Sequence, residues 1–145
     1  MKVLVDTNVI IDVLLIQDPF YKDSSIIYKL SESKHISGIL ASVSMANAFY
    51  ILRRRGKSCD EAYQELDKLN IIFAIGPVSD TTISTALSLR WKDFEDAVQY
   101  TTAKESNVDF IITRNKSDFE ANDISCMTPT EFIAYLKEKE EAESN

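Results

Sequence analysis

Three aspartates stand where a carboxylate could do chemistry. Asp6 follows the apolar run Val3-Leu4-Val5. Asp96 lies in Lys92-Asp93-Phe94-Glu95-Asp96-Ala97. Asp118 closes the polar stretch Thr113-Arg114-Asn115-Lys116-Ser117, which itself follows Phe110-Ile111-Ile112. Each has a plain structural use. Asp6 suits the N-cap of a helix from Asn8, Asp93 caps a second helix whose dipole favours Asp96, and Asp118 suits a polar turn. Their joint placement asks for more. Unpaired carboxylates drawn to one edge repel, so such a cluster needs protons or a cation, and one divalent metal serves all three. Oxygen donors of this kind suit Mg²⁺ or Mn²⁺.

Composition narrows the alternatives. The chain has 145 residues, 45% of them hydrophobic and 27% charged, which fits a single globular domain. That domain is expected over residues 1–140, with 141–145 as a disordered acidic tail. The glycines are Gly38, Gly56 and Gly76, too scattered for a phosphate loop or a dinucleotide fingerprint. A single histidine, His35, rules out a histidine-rich zinc site. Cys59 and Cys126 form no CxxC element, and both read as small apolar fillers. A formal charge of −7 argues against broad electrostatic capture of nucleic acid, although a metal-bridged phosphate remains allowed. The opening apolar run is interrupted by Asp6 and Asp12, which suits neither a membrane span nor a signal peptide. Unpaired cysteines then suggest the cytoplasm.

The elements that must position the acids alternate in type. Strands are expected at Lys2–Val5, Ile36–Ala41, Ile71–Ile75, Phe110–Thr113 and Ile124–Met127. Helices are expected at Asn8–Leu15, Tyr21–Ser33, from Ser42 or Ser44 to the Arg53-Arg54-Arg55-Gly56 stop, and at Cys59–Leu69, Ser79–Leu89, Asp93–Ser106 and Thr128–Lys139. Alternation of this sort predicts an α/β fold, a three-layer α/β/α sandwich around a parallel sheet. Ligands in such folds sit beyond the carboxyl ends of the strands, which is where Asp6 and Asp118 fall.

Three stretches, Val3-Leu4-Val5-Asp6-Thr7-Asn8-Val9-Ile10, Asp93-Phe94-Glu95-Asp96-Ala97 and Ile111-Ile112-Thr113-Arg114-Asn115-Lys116-Ser117-Asp118-Phe119, with Pro129-Thr130-Glu131-Phe132 after them, resemble the PIN-domain family of metal-dependent nucleases. The resemblance spans essentially the whole chain in the expected order. It implies a parallel sheet of about five strands, acidic residues holding Mg²⁺ or Mn²⁺, and hydrolysis of RNA phosphodiester bonds. Many small members resemble the toxin half of a toxin–antitoxin pair, so the implied partners are RNA, an antitoxin protein and a second copy of the chain. By position, Asp6, Asp96 and Asp118 take three of the family's four acidic sites. Asn8, Thr113 and Asn115 match polar residues that orient them.

The fourth acidic site departs from the pattern. The family places a glutamate in the helix after the second strand, and here that position is Asn47. An amide oxygen can still face a cation, but it brings no charge. Asp93, one turn before Asp96, is a candidate for compensation. Arg114 and Lys116 beside Asp118, together with Arg53 and Arg54, are the candidate RNA contacts. The alternative reading is a catalytically weak module that binds RNA or a protein. A receiver-like phosphotransfer domain fits the Thr113–Asp118 loop poorly.

Overall fold

The computed structural model describes residues 1–144. Five strands, β1 (Lys2–Val5), β2 (Ser37–Ala41), β3 (Ala74–Gly76), β4 (Phe110–Ile112) and β5 (Ser125–Met127), form one sheet in the order β3-β2-β1-β4-β5, and every pairing is parallel. The helices are α1 (Thr7–Leu14), α2 (Tyr21–Glu32), α3 (Ser42–Arg54), α4 (Cys59–Ile72), α5 (Asp80–Leu89), α6 (Phe94–Glu105) and α7 (Pro129–Ser144). The expected α/β/α sandwich is the fold found.

Strand alternation divides the core. Val3, Val5 and Ile112 face a layer that includes Val9, Ile27, Leu69 and Phe132, from α1, α2, α4 and α7. Leu4 and Ile111 face the other way, against Tyr100 and Ala103 of α6. This is the period-two pattern of a sheet covered on both faces, and it explains why the strands are apolar throughout. The register sets Val3 beside Gly38 on one flank and Phe110 on the other. Gly38 is required by close approach, since a Cβ there would lie 2.6 Å from Ser31 Oγ and 2.7 Å from the Phe73 ring.

Three expectations need correction. The run Ile71–Ile75 is not all strand. Helix α4 continues through Ile72 because Leu69 and Ile72 extend its buried stripe at a spacing of three, while Ile71 is 78% exposed. Neither Ser42 nor Ser44 caps α3. Ala41 takes the N-cap position without a side-chain bond, and the Ser44 hydroxyl is spent on Thr7. The last helix does not stop at Lys139. It runs to Ser144, so 141–144 are helical rather than disordered, as suits a stretch of Glu and Ala, which are strong helix formers. Asn145 lies outside the described residues. No helix among them is long and apolar enough to cross a membrane.

Candidate active site

Beyond the carboxyl ends of β1 and β4, a cavity of about 360 Å³ opens between α1, α3, α6 and the Lys116–Asp118 turn. Asp6, Asp93, Glu95, Asp96 and Asp118 all line it. The three acids singled out in the sequence therefore share one cavity, each delivered by a different element.

Asp6 is fixed by the sheet. Its main-chain N–H donates to Ile112 O at 2.9 Å, one residue beyond the β1–β4 ladder. The residue occupies the N-cap position of α1, yet its carboxylate makes no capping bond. Instead Thr113 Oγ1 donates to Oδ2 at 2.7 Å and Gln99 Nε2 donates to Oδ1 at 3.0 Å. Thr113 is itself aimed, because its hydroxyl accepts the Asn115 N–H at 3.1 Å. Asn115 thus acts through its backbone. The Asn8 side chain accepts the Arg114 N–H at 3.4 Å, tying the loop after β4 to α1. Burial pushes the Asp6 carboxyl up, and the bonds from Thr113 and Gln99 oppose the rise.

Asp96 sits in the first turn of α6. Its N–H donates to Asp93 Oδ1 at 3.0 Å, so Asp93 is the helix cap and is tied to the position of its neighbour. The Asp96 carboxyl is raised to about 7, first by burial and then by the charges of Asp6, Asp93, Asp118 and Glu95. Asp118 ends the exposed turn after β4.

The cavity is lined by carboxylate, amide and hydroxyl oxygens, a hard donor set that fits Mg²⁺ or Mn²⁺. The fit is one of donor chemistry. Among the described residues no three Asp, Glu, His or Cys side chains stand close enough to hold an ion as placed. The three acids share the cavity without forming a closed cluster.

A family model described as PIN domain matches residues 2–117. The chain belongs to the PIN-domain family. Ribonuclease VapC1 of Aquifex aeolicus is 27% identical over 136 residues, covering 90% of this chain and 92% of that protein. Among solved structures, a toxin–antitoxin complex from Klebsiella pneumoniae superposes with a TM-score of 0.65 at 20% identity, covering 88% of this chain and 97% of that one. The VapC20 toxin of Mycobacterium tuberculosis, described as cleaving the sarcin–ricin loop, gives 0.62 at 16% identity, covering 75% of this chain and 86% of that one. These likenesses speak for the PIN fold.

Asn47, expected as the fourth site residue, behaves differently from the aspartates. Asn47 is half-buried on α3, and the residues which that helix sends to the acidic cavity are Ile51 and Arg55. Arg53 and Arg54 point their charge elsewhere, with Arg53 Nη1 on Lys57 O at 2.9 Å and Arg54 Nη1 on the Tyr50 hydroxyl at 3.2 Å. Lys116 is paired to Glu131 at 2.9 Å. Of the four basic candidates only Arg114 reaches the cavity, and Arg55 joins it.

Sequence reasoning missed four contributors. Glu95 lines the cavity and accepts from Thr7 Oγ1 at 2.9 Å. Thr7 in turn bonds Ser44 Oγ at 2.7 Å, joining α1, α3 and α6. Gln99 lies one turn past Asp96 and is fully buried. Asp12, 1% exposed, holds Arg114 Nε at 3.2 Å. A usable signal existed for Glu95 and Gln99. They sit four residues apart, so they share one face of α6, where the Gln99 amide donates to Glu95 Oε1 at 3.4 Å.

Proposed function

We propose that this PIN-domain chain is a Mg²⁺- or Mn²⁺-dependent endoribonuclease that hydrolyses RNA phosphodiester bonds, and that it is the toxin of a toxin–antitoxin pair. The observation that carries the reading is the convergence of Asp6, Asp96 and Asp118 on one open, oxygen-lined cavity at the carboxyl edge of the sheet. The name and 27% identity of the Aquifex ribonuclease support the activity, and the toxin–antitoxin structures support an antitoxin as partner. A cytoplasmic, homodimeric toxin is the form consistent with this reading.

Asp6, Asp96 and Asp118 hold the metal in this scheme. The chemistry such an ion supplies when bound is a water of lowered pKa and neutralised phosphate charge. The rest falls to side chains. Thr113 and Gln99 keep the Asp6 carboxylate oriented, Asp93 fixes the turn that carries Asp96, and Arg114 with Arg55 offers positive charge to the RNA backbone at the cavity wall.

One observation favours a second reading, a weak module that binds RNA or a protein. Asn47 is neutral and is not among the residues lining the cavity. Cleavage of single-stranded RNA with and without Mn²⁺ separates the two. The nuclease cuts only with metal, Asp6→Asn abolishes cutting with the circular dichroism spectrum unchanged, and equal activity in purified Asp6→Asn rejects the assignment.

A further inference from the structure

A second cavity of about 200 Å³ adjoins the acidic one, and Arg114 lines both. It lies in the cleft where the N-terminal ends of α2 and α7 meet. Its volume suits a planar ring system rather than a single water, whose share of liquid volume is ~30 Å³. The walls are apolar and flat-faced, made by Pro19, Phe20 and Pro129. Polar groups gather at the edge in Asp23, Ser24 and Thr130.

Three features mark this cleft as more than a gap between helices. Ser24 is 1% exposed and its hydroxyl has no hydrogen-bond partner. A buried, unpaired hydroxyl is costly, and this one belongs to a residue of the cleft wall. Phe20 is 39% exposed, and the Arg114 guanidinium lies 4.2 Å from its ring centroid, so a stacking platform is already assembled. The Asp23 carboxylate takes the Thr130 hydroxyl on Oδ2 and bridges α2 to α7, which leaves acceptor capacity facing the cleft.

We propose that this cavity is a nucleobase subsite for the nucleotide next to the cleaved phosphate, and that it takes guanine. The proposal rests on the ribonuclease reading for its placement along the RNA. Aromatic and proline faces accept a base by stacking. The guanidinium of Arg114, shared by both cavities, is placed to meet the phosphate between them. A carboxylate selects guanine because the Watson–Crick edge of that base presents two adjacent N–H donors. Adenine and cytosine set a donor beside an acceptor, which a carboxylate repels, and uracil offers one donor between two acceptors.

The test is an NMR titration of the wild-type protein with each of the four ribonucleoside 5′-monophosphates, followed by mapping of cut sites in RNA. Guanosine monophosphate is expected to shift the amides of Phe20, Ser24 and Thr130, and to bind about tenfold tighter than the other three, the scale of one bidentate base contact. Phe20→Ala weakens that binding about tenfold, the scale of one base–aromatic stack. Ser24→Leu fills the cleft and abolishes binding, and Phe20→Ala covers the case in which Ser24→Leu fails to fold. With Mn²⁺, the cuts made by Phe20→Ala lose the guanine preference that the wild type shows beside the cut. Equal affinity for all four nucleotides, shifts confined to the Asp6 and Asp96 region, or an unchanged cut-site preference in Phe20→Ala overturns the subsite. Guanosine monophosphate seated in the cleft of a protein that cuts no RNA rejects the ribonuclease reading and leaves the subsite standing.

Discussion

Gln99 Nε2 donates to Asp6 Oδ1 at 3.0 Å from a fully buried position, while the Oε1 of the same amide has no partner. A buried unpaired carbonyl costs about 1–3 kcal/mol. Turning the amide over would set its oxygen against the carboxylate of Asp6, and against Glu95 Oε1, which the same nitrogen faces at 3.4 Å. The amide is therefore locked by the two acids it serves.

Gln99→Leu removes that donor and also removes the orphaned oxygen. Stability is expected to change by less than about 1 kcal/mol, because the loss and the relief oppose each other. Mn²⁺ affinity is expected to fall about tenfold, the lower end for a residue that orients a metal ligand. Calorimetric Mn²⁺ titration and a urea melt check this together. Unchanged affinity with lowered stability would make Gln99 a packing residue only.

Asp96 supplies a pH signature. Its carboxyl is raised from 3.8 to about 7, so the folded chain keeps a proton that the unfolded chain releases between those values. Stability must then fall as pH rises through that window. Asp6 and Asp12 are raised as well and act with the same sign. Glu61, Asp123 and Glu131 are lowered and act oppositely, but their effect is complete below about pH 5. Melts in EDTA are expected to show a loss of about 2 kcal/mol between pH 5 and pH 7.5, given ~1.4 kcal/mol per unit and a half-buried group. Asp96→Asn reduces that slope and stabilises the protein at pH 7.5. A profile that rises over this range contradicts the crowding of carboxylates.

Much of this was legible in the sequence because strand ends are. Val3-Leu4-Val5 and Phe110-Ile111-Ile112 are apolar on both faces, as a covered parallel sheet demands, and a polar residue directly after such a run has nowhere to go but the sheet edge. That placed Asp6, whereas Thr113 was read as the last residue of its strand and its role came only from the family resemblance. Gln99 and Glu95 were less legible because a polar residue on a helix face reads as solvated until its partner is known. Asp12 was hidden for the same reason, since Arg114 lies 102 positions away in sequence. The end of α4 was misread because Ile71–Ile75 is apolar at every position and carries no period.

Glu95 and Asn47 divide the question of the fourth acid. Glu95 lines the acidic cavity and Asn47 does not. Glu95→Gln removes one charge from the cavity and is expected to weaken Mn²⁺ binding about tenfold. Asn47→Ala is expected to leave it within about threefold, since a group outside the cavity contributes little Coulomb attraction across solvent. The reverse order in parallel titrations would return the fourth position to α3.

Asp12 and Arg114 form the most buried ion pair of the site, and it is an unusual one. Nε and Oδ2 are 3.2 Å apart, close enough for charge attraction, yet neither atom is aligned for a hydrogen bond. Gln17 Nε2 donates to the other carboxylate oxygen at 3.2 Å. Burial pushes the Asp12 carboxyl up, and the Arg114 charge opposes that. Removing one member of such a pair strands the other. Asp12→Ala is expected to destabilise the fold by about 3 kcal/mol, the low end for a broken buried pair, because the Arg114 side chain is 30% exposed and can turn to solvent. Arg114→Ala is expected to cost as much or more, since it strands Asp12 at 1% exposure and removes the stack on Phe20. The double variant should lose clearly less than the sum, by about 1–2 kcal/mol of coupling. Urea unfolding of the four proteins in this cycle decides the matter. Additive losses would mean that Arg114 is placed by Phe20 and the chain alone, and that Asp12 has no part in presenting it to RNA.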